Sequence, residues 1–271
     1  QLIKLFCLAL AGLVAASPVQ KELAERQNQK IRISMPSLTG ALVQDATNTI
    51  PSALGDSITE ITCWRAFVWD QLADAGLADK VDYVGSQYSN PQNCQPKTFN
   101  WDQSHEGHSG WLAIDIANNY LEGWLRNTPA DIVMFMLGTN DVFRGRSTND
   151  IIAAYTKMVN IMRAANPKMK IIVSRIPFRT KTHTDTSKVD LVIPLSFGNQ
   201  GIEQLNARIP EWARSMNSTE SPIVIADCYT GFNAWSDLRD GVHPSLSGDR
   251  IIADRVGPLL LEYVRQALDG R

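Results

Sequence analysis

The run "ADIVMFML" (130–137) constrains the chain most. After Asp131 no polar residue interrupts it. A strand with one wet face alternates apolar and polar; an unbroken apolar run of this length reads as a strand buried on both faces, inside a parallel sheet covered by helices. Other segments fit that scheme. "KIRISM" (30–35), "VDYVGS" (81–86), "KIIVSRIP" (170–177) and "PIVIAD" (222–227) read as further strands. Residues 60–76, 110–127, 148–167, 201–217 and 246–268 carry helical spacing. Thr148 or Asn149 is the expected cap of the third helix. Pro210 is expected to kink or divide the fourth, and Gly257-Pro258 to bend the fifth. Alternating strands and helices predict an α/β fold, a three-layer α/β/α sandwich on a five-stranded parallel sheet.

The N-terminus sets the compartment. Lys4 precedes "LFCLALAGLVAAS", and the small residues Ala15, Ala16 and Ser17 offer a cleavage site. This reads as an export signal over residues 1–17, too short to span a bilayer, leaving one domain over 18–271. The chain opens on Gln1 rather than Met, so its true start is expected upstream. A secreted, monomeric protein with no membrane partner is expected. With 26 basic against 28 acidic residues the net charge is −2, so no basic field points to nucleic acid. Without the signal, Cys63, Cys94 and Cys228 remain, which suggests one disulfide and one buried thiol. Asn217-Ser218-Thr219 is a glycosylation sequon.

In an open parallel sheet, ligands bind beyond the carboxyl ends of the strands. Ser57 in "GDS", Asn140 and Asp141 in "GTND", and Asp240 and His243 in "DGVHP" all follow strands. A serine, an amide, a carboxylate and an imidazole converging there are the parts of acyl transfer. Ser57 needs a base to take its proton, and His243 titrates near working pH. Asp240 can orient the imidazole. The Ser57 N–H, the Asn140 amide and a glycine N–H of "HEGHSGW" can face an oxyanion.

Each residue also has a plainer reading. Ser57 could cap the next helix. Asp240 and His243 could form a surface turn. His105 and His108, with Asp102 and Glu106, could ligate a metal, although the spacing is loose. No cofactor and no metal is expected. Trp101, Trp111 and Trp235 could stack on sugars or fill the core. Asp56 and Asp141 are expected to order loops.

"GDSIT", "EGHSGW", "GTND" and "DGVHP", in this order over about residues 54–260, resemble the four blocks of the SGNH/GDSL hydrolases. "LGDSITEITCWR" and "HEGHSGW" look like the carbohydrate esterase family 3 acetylxylan esterases. The resemblance implies a flavodoxin-like fold and a serine esterase acting on an acetylated polysaccharide or small ester. It implies Ser57 as nucleophile, His243 as base, Asp240 as orienter, and Ser57, Gly107 and Asn140 as oxyanion donors. Another ester hydrolase of the superfamily, acting on lipid or other sugar acetates, and a silent carbohydrate-binding protein are the alternatives. Ser109 reads as the cap of the following helix. Cys63 and Cys94 are the expected disulfide, since the 87–109 loop must return to bring Gly107 beside Ser57; Cys228 stays free. In the family the first strand runs straight into the nucleophile. That makes "KIRISMP" the strand and residues 37–53 an insertion, looped out or foreign to the mature protein.

Overall fold

The structure, a computed structural model, describes residues 48–180 and 195–269. Five strands form one all-parallel sheet: β1 (Pro51–Gly55), β2 (Glu106–Gly107), β3 (Ile132–Met136), β4 (Lys170–Ser174) and β5 (Ile223–Ala226). Their order, β2-β1-β3-β4-β5, is the flavodoxin-like one, in which the direction of winding reverses between β1 and β3. β3 is buried at every residue, as its unbroken apolar run requires. The described residues lie within one compact unit, Thr47–Arg271.

Helices flank the sheet. α1 (Ser57–Glu60) and α2 (Trp64–Asp74) follow β1. α3 runs through Ala113–Asp115, a π-helical turn at Ile116–Tyr120, and Leu121–Asn127. α4 (Thr139–Phe143) and α5 (Thr148–Ala165) follow β3. α6 (Leu195–Met216) and α7 (Leu246–Asp269) precede and follow β5. α2 packs on α7, and α5 packs on α3 and α6. Phe135, Tyr155 and Trp212 meet edge to face beneath β3, the geometry that aromatic quadrupoles favour.

Two strands differ from the sequence reading. The strand before Ser57 is "PSALG", so residues 51–53 are a central strand and not part of an insertion. "KIRISM" (30–35) and residues 37–47 lie outside the described residues, as does the expected signal. Pro51 is tolerated because it is the first residue of the strand. Its carbonyl still accepts from Val84 N at 3.0 Å, and the donor it lacks falls between two isolated bridges, Thr49↔Val81 and Ser52↔Val84, where pairing is already sparse. Those bridges are what "VDYVGS" forms in place of a strand. The edge strand is instead Glu106–Gly107, drawn from the long loop, with Gly55 in register with Gly107.

Helix ends also shift. Ser147, not Thr148 or Asn149, caps α5 by accepting from Asp150 N. Ser109 does not cap α3; Asp141 does, accepting from Ala113 N at 2.8 Å and Ile114 N at 3.2 Å. α6 runs undivided through Pro210, and α7 through Pro258. Buried Leu205, Ile209, Trp212 and Ala213 hold α6 together around Pro210.

Candidate active site

Ser57 is the first residue of α1, placed by the C-terminal end of β1. Asp56 caps that helix, its Oδ1 accepting from Ile58 N at 2.9 Å. The N–H of Ser57 is therefore among the donors that a first helical turn leaves unpaired. Ser57 Oγ lies 2.9 Å from His243 Nε2, and His243 Nδ1 lies 2.7 Å from Asp240 Oδ2. The other carboxylate oxygen of Asp240 accepts from Val242 N at 2.9 Å and His243 N at 2.8 Å. That turn needs Gly241, whose φ is +86°. Gly241 O accepts from Thr180 N at 2.8 Å, tying the turn to the segment after β4.

Burial resists charge on Asp240, but the His243 and Val242 donors prevail and hold its pKa down to about 2. It stays ionised and able to orient the ring. Burial also lowers the His243 pKa against the pull of Asp240. A neutral imidazole beside the hydroxyl can accept its proton, and the ionised carboxylate stabilises the imidazolium that results.

Asn140, on α4, donates from Nδ2 to Asp56 Oδ2 and to Trp111 O, both at 3.1 Å. Gly138, at φ +100°, makes the turn from β3 into α4. Gly107 sits against the first turn of α1; a Cβ there would lie 2.6 Å from Glu60 N, so only glycine fits. Its N–H donates to His105 Nδ1 at 3.0 Å. His105 is buried, which drives its pKa down to about 3 and keeps it a neutral acceptor. Ser57, Gly107, Asn140, Asp240 and His243 thus gather at the sheet edge where β1 and β3 end.

The chain matches the GDSL-like lipase/acylhydrolase family over residues 53–251. It belongs to that family. Among solved structures, a mutant acetyl esterase crystallised with an acetate ion is 44% identical, with a TM-score of 0.72 over 81% of this chain and 99% of the other. A carbohydrate esterase family 3 protein from Talaromyces cellulolyticus is 46% identical, with a TM-score of 0.72 over 80% of this chain and 99% of the other. A multidomain esterase from Ruminococcus flavefaciens is 25% identical over 80% of this chain. The chain spans 29% of the length of that curated relative. As a member of this family the chain has its α/β fold, and the solved structures it is similar to include an acetyl esterase and a carbohydrate esterase.

Family motifs do not reveal the residues that support the site. Arg65, 4% exposed, donates to the carbonyls of Thr59, Glu60, Ser89 and Gln103. It fastens the 87–109 loop to α1. The Cys63–Cys94 disulfide fastens the same loop to the start of α2, and Cys228 is free and buried. Asp249 of α7 accepts from Cys63 N at 2.9 Å, capping α2 across the fold. Arg179 is buried with its guanidinium 4.2 Å over the Phe143 ring, and its Nε and Nη2 make no hydrogen bond. The disulfide and the free thiol are those expected from the sequence, whereas the roles of Arg65, Asp249 and Arg179 leave no local sequence pattern.

His105 and His108 do not converge as a ligand pair. His105 faces Gly107 N and Ser89, while His108 bonds Glu106 at 2.5 Å and stacks on both Trp111 and Trp124, which also stack on each other. Of the tryptophans read as sugar platforms, Trp101 is buried, Trp111 belongs to this aromatic cluster, and Trp235 is exposed on the loop before Asp240. Among the described residues no helix is long and apolar enough to cross a membrane.

Proposed function

We propose that the protein is a secreted serine esterase that removes acetyl groups from plant-wall polysaccharide such as xylan. The Ser57–His243–Asp240 chain of hydrogen bonds, at 2.9 and 2.7 Å, carries this reading. The likeness to an acetyl esterase and to a carbohydrate esterase of family 3 supports the choice of acyl group and substrate class.

Ser57 Oγ attacks the acetyl carbonyl as His243 Nε2 takes the hydroxyl proton. The tetrahedral oxyanion is met by the Ser57 N–H and the Asn140 amide, and by the Gly107 N–H if it exchanges its bond to His105 Nδ1 for the anion. His243 returns the proton to the sugar oxygen, and the deacetylated alcohol leaves. Water, deprotonated by His243, then attacks the acetyl-serine. Acetate and free Ser57 result.

The test is acetate release from a panel of acetylated polysaccharides and from 4-nitrophenyl acetate. Ser57→Ala is expected to lower turnover on all of them by roughly 10⁴-fold or more, with an unchanged fold. A folded Ser57→Ala protein that turns over near the native rate refutes the nucleophile. Turnover of nitrophenyl acetate and of lipid esters, with none of acetylated xylan, moves the substrate to another ester of the superfamily.

A further inference from the structure

The chain holds one sequence of the form Asn-x-Ser/Thr, Asn217-Ser218-Thr219. Such a triplet accepts an N-linked glycan only on an accessible turn of an exported protein, so its surroundings decide whether it is a site. It lies directly after Met216, the last residue of α6, in the connection that leads into β5 at Ile223. Asn217 and Thr219 are both exposed. The two ends of the connection are fixed. Arg163 of α5 donates from Nη2 to Met216 O and Ser221 O, both at 2.7 Å, and from Nε to Ser221 Oγ at 3.0 Å. Ser221 N donates to Ser218 Oγ at 3.1 Å, which closes the turn on itself.

Within this turn the Asn217 amide has a set direction. Its Oδ1 accepts from Ile223 N at 2.8 Å. A backbone N–H can only donate, so the carbonyl arm of the amide faces β5 and the Nδ2 arm is left to solvent. Among the described residues neither Asn217 Nδ2 nor the Thr219 hydroxyl makes a hydrogen bond. A purely structural role asks for less. Aspartate at 217 would hold Ile223 N equally well, and nothing would be required at 219. A glycosylated asparagine keeps its carbonyl oxygen, so the bond to Ile223 N survives attachment. The turn also stands away from the chemistry. β5 is an edge strand of the all-parallel sheet, and Asn217 precedes its start, whereas Ser57 and Asn140 follow the ends of β1 and β3.

We propose that Asn217 is a modification site, carrying an N-linked glycan on the edge of the sheet opposite the catalytic residues. The donor is an oligosaccharide on a polyprenyl pyrophosphate. Nδ2 loses a proton and bonds the sugar C1; the C1–O bond to the carrier breaks, and the polyprenyl pyrophosphate leaves with the electron pair. The inference rests on the secreted part of the proposed function and not on the esterase part.

The experiment secretes the chain from yeast behind a host leader, so that the result does not depend on residues 1–17. Peptide mass mapping is expected to find sugar on Asn217, and peptide-N-glycanase to release it and leave aspartate there. Thr219→Ser should keep the glycan. Thr219→Ala should lose it while keeping the Asn217–Ile223 bond, and should turn over 4-nitrophenyl acetate with the native kcat/KM. Bare Asn217 in the native secreted protein, or a glycan that Thr219→Ala retains, overturns the proposal. An altered kcat/KM in the folded Thr219→Ala protein overturns the placement of the glycan clear of the catalytic edge. A second culture uses residues 1–17, behind an added Met, as the sole leader. Retention of the chain in the cells there, beside glycosylation in the first culture, refutes the secreted reading rather than the acceptor site.

Discussion

Both amide hydrogens of Asn140 already have acceptors, Asp56 Oδ2 and Trp111 O. An oxyanion must therefore displace one of them, and the exchange favours the anion only once charge has developed on the carbonyl oxygen. On the proposed mechanism Asn140 therefore acts in the transition state. Asn140→Ala is expected to lower kcat by roughly 10²–10³-fold with little change in KM. A rise in KM with kcat intact would instead make Asn140 a ground-state contact. For His243, burial lowers the pKa from the ordinary 6.5, and Arg239 and Arg179 add to the effect. The free base then survives into mild acid. The acid limb of kcat/KM should have its midpoint below 6.5. Asp240→Asn removes groups that raise the His243 pKa, so it should move the limb further toward acid while lowering kcat. A limb that moves toward alkali rules out this account of the pair.

The strands legible in the sequence are those that lie in an apolar run. β3, β4 and β5 lie inside "ADIVMFML", "KIIVSRIP" and "PIVIAD", where apolar side chains meet helices. β1 and β2 were not legible. "PSALG" is short and contains proline, serine and glycine, and two residues such as Glu106–Gly107 carry no period. What fixes them is tertiary: the ladder from β1 to β3, and glycines at positions 55 and 107 that let α1 lie close. The residues that gather at the candidate site stand out in the sequence for a different reason. Each sits within a few residues of a strand end or in one tight turn, so local motifs report them. Two predictions follow from the tertiary ties. Deleting residues 37–53 would remove three of the five residues of central β1; circular dichroism should show no cooperative unfolding, whereas a folded, active deletion protein would restore the insertion reading. Replacing Cys63 and Cys94 together by serine opens a 31-residue loop and should cost about 3–4 kcal/mol on the chain-entropy model. Because that loop delivers Gly107, kcat should fall as well. A loss of stability with kcat intact would show that Arg65 alone holds the loop.

Across the whole molecule, three helix starts meet at the candidate site, and each is capped by a buried carboxylate. Asp56 serves α1, Asp141 serves α3 and Asp249 serves α2. Burial raises their pKa values to about 7, about 6 and about 6. From about pH 4 upward these groups hold protons that the unfolded chain has released, so each lowers stability as pH rises through its own window. Within a window the slope is at most roughly 1.4 kcal/mol per pH unit for each group. His105, held down to about 3, and His243 act in the opposite sense, favouring the fold as pH rises toward 6.5. Between about pH 4 and 6 the three carboxyls outweigh the two imidazoles. Below that range the depressed Asp240, with a pKa of about 2, loses its contribution. Stability should therefore peak in mild acid, and Tm at pH 5 should exceed Tm at pH 8. Asp141→Asn keeps one acceptor for the α3 cap and removes one proton from the balance, so it should narrow that difference. A Tm that is flat or rises from pH 5 to pH 8 would mean that the three caps are ionised in the fold, with the burial of their charge offset by the helix starts they face.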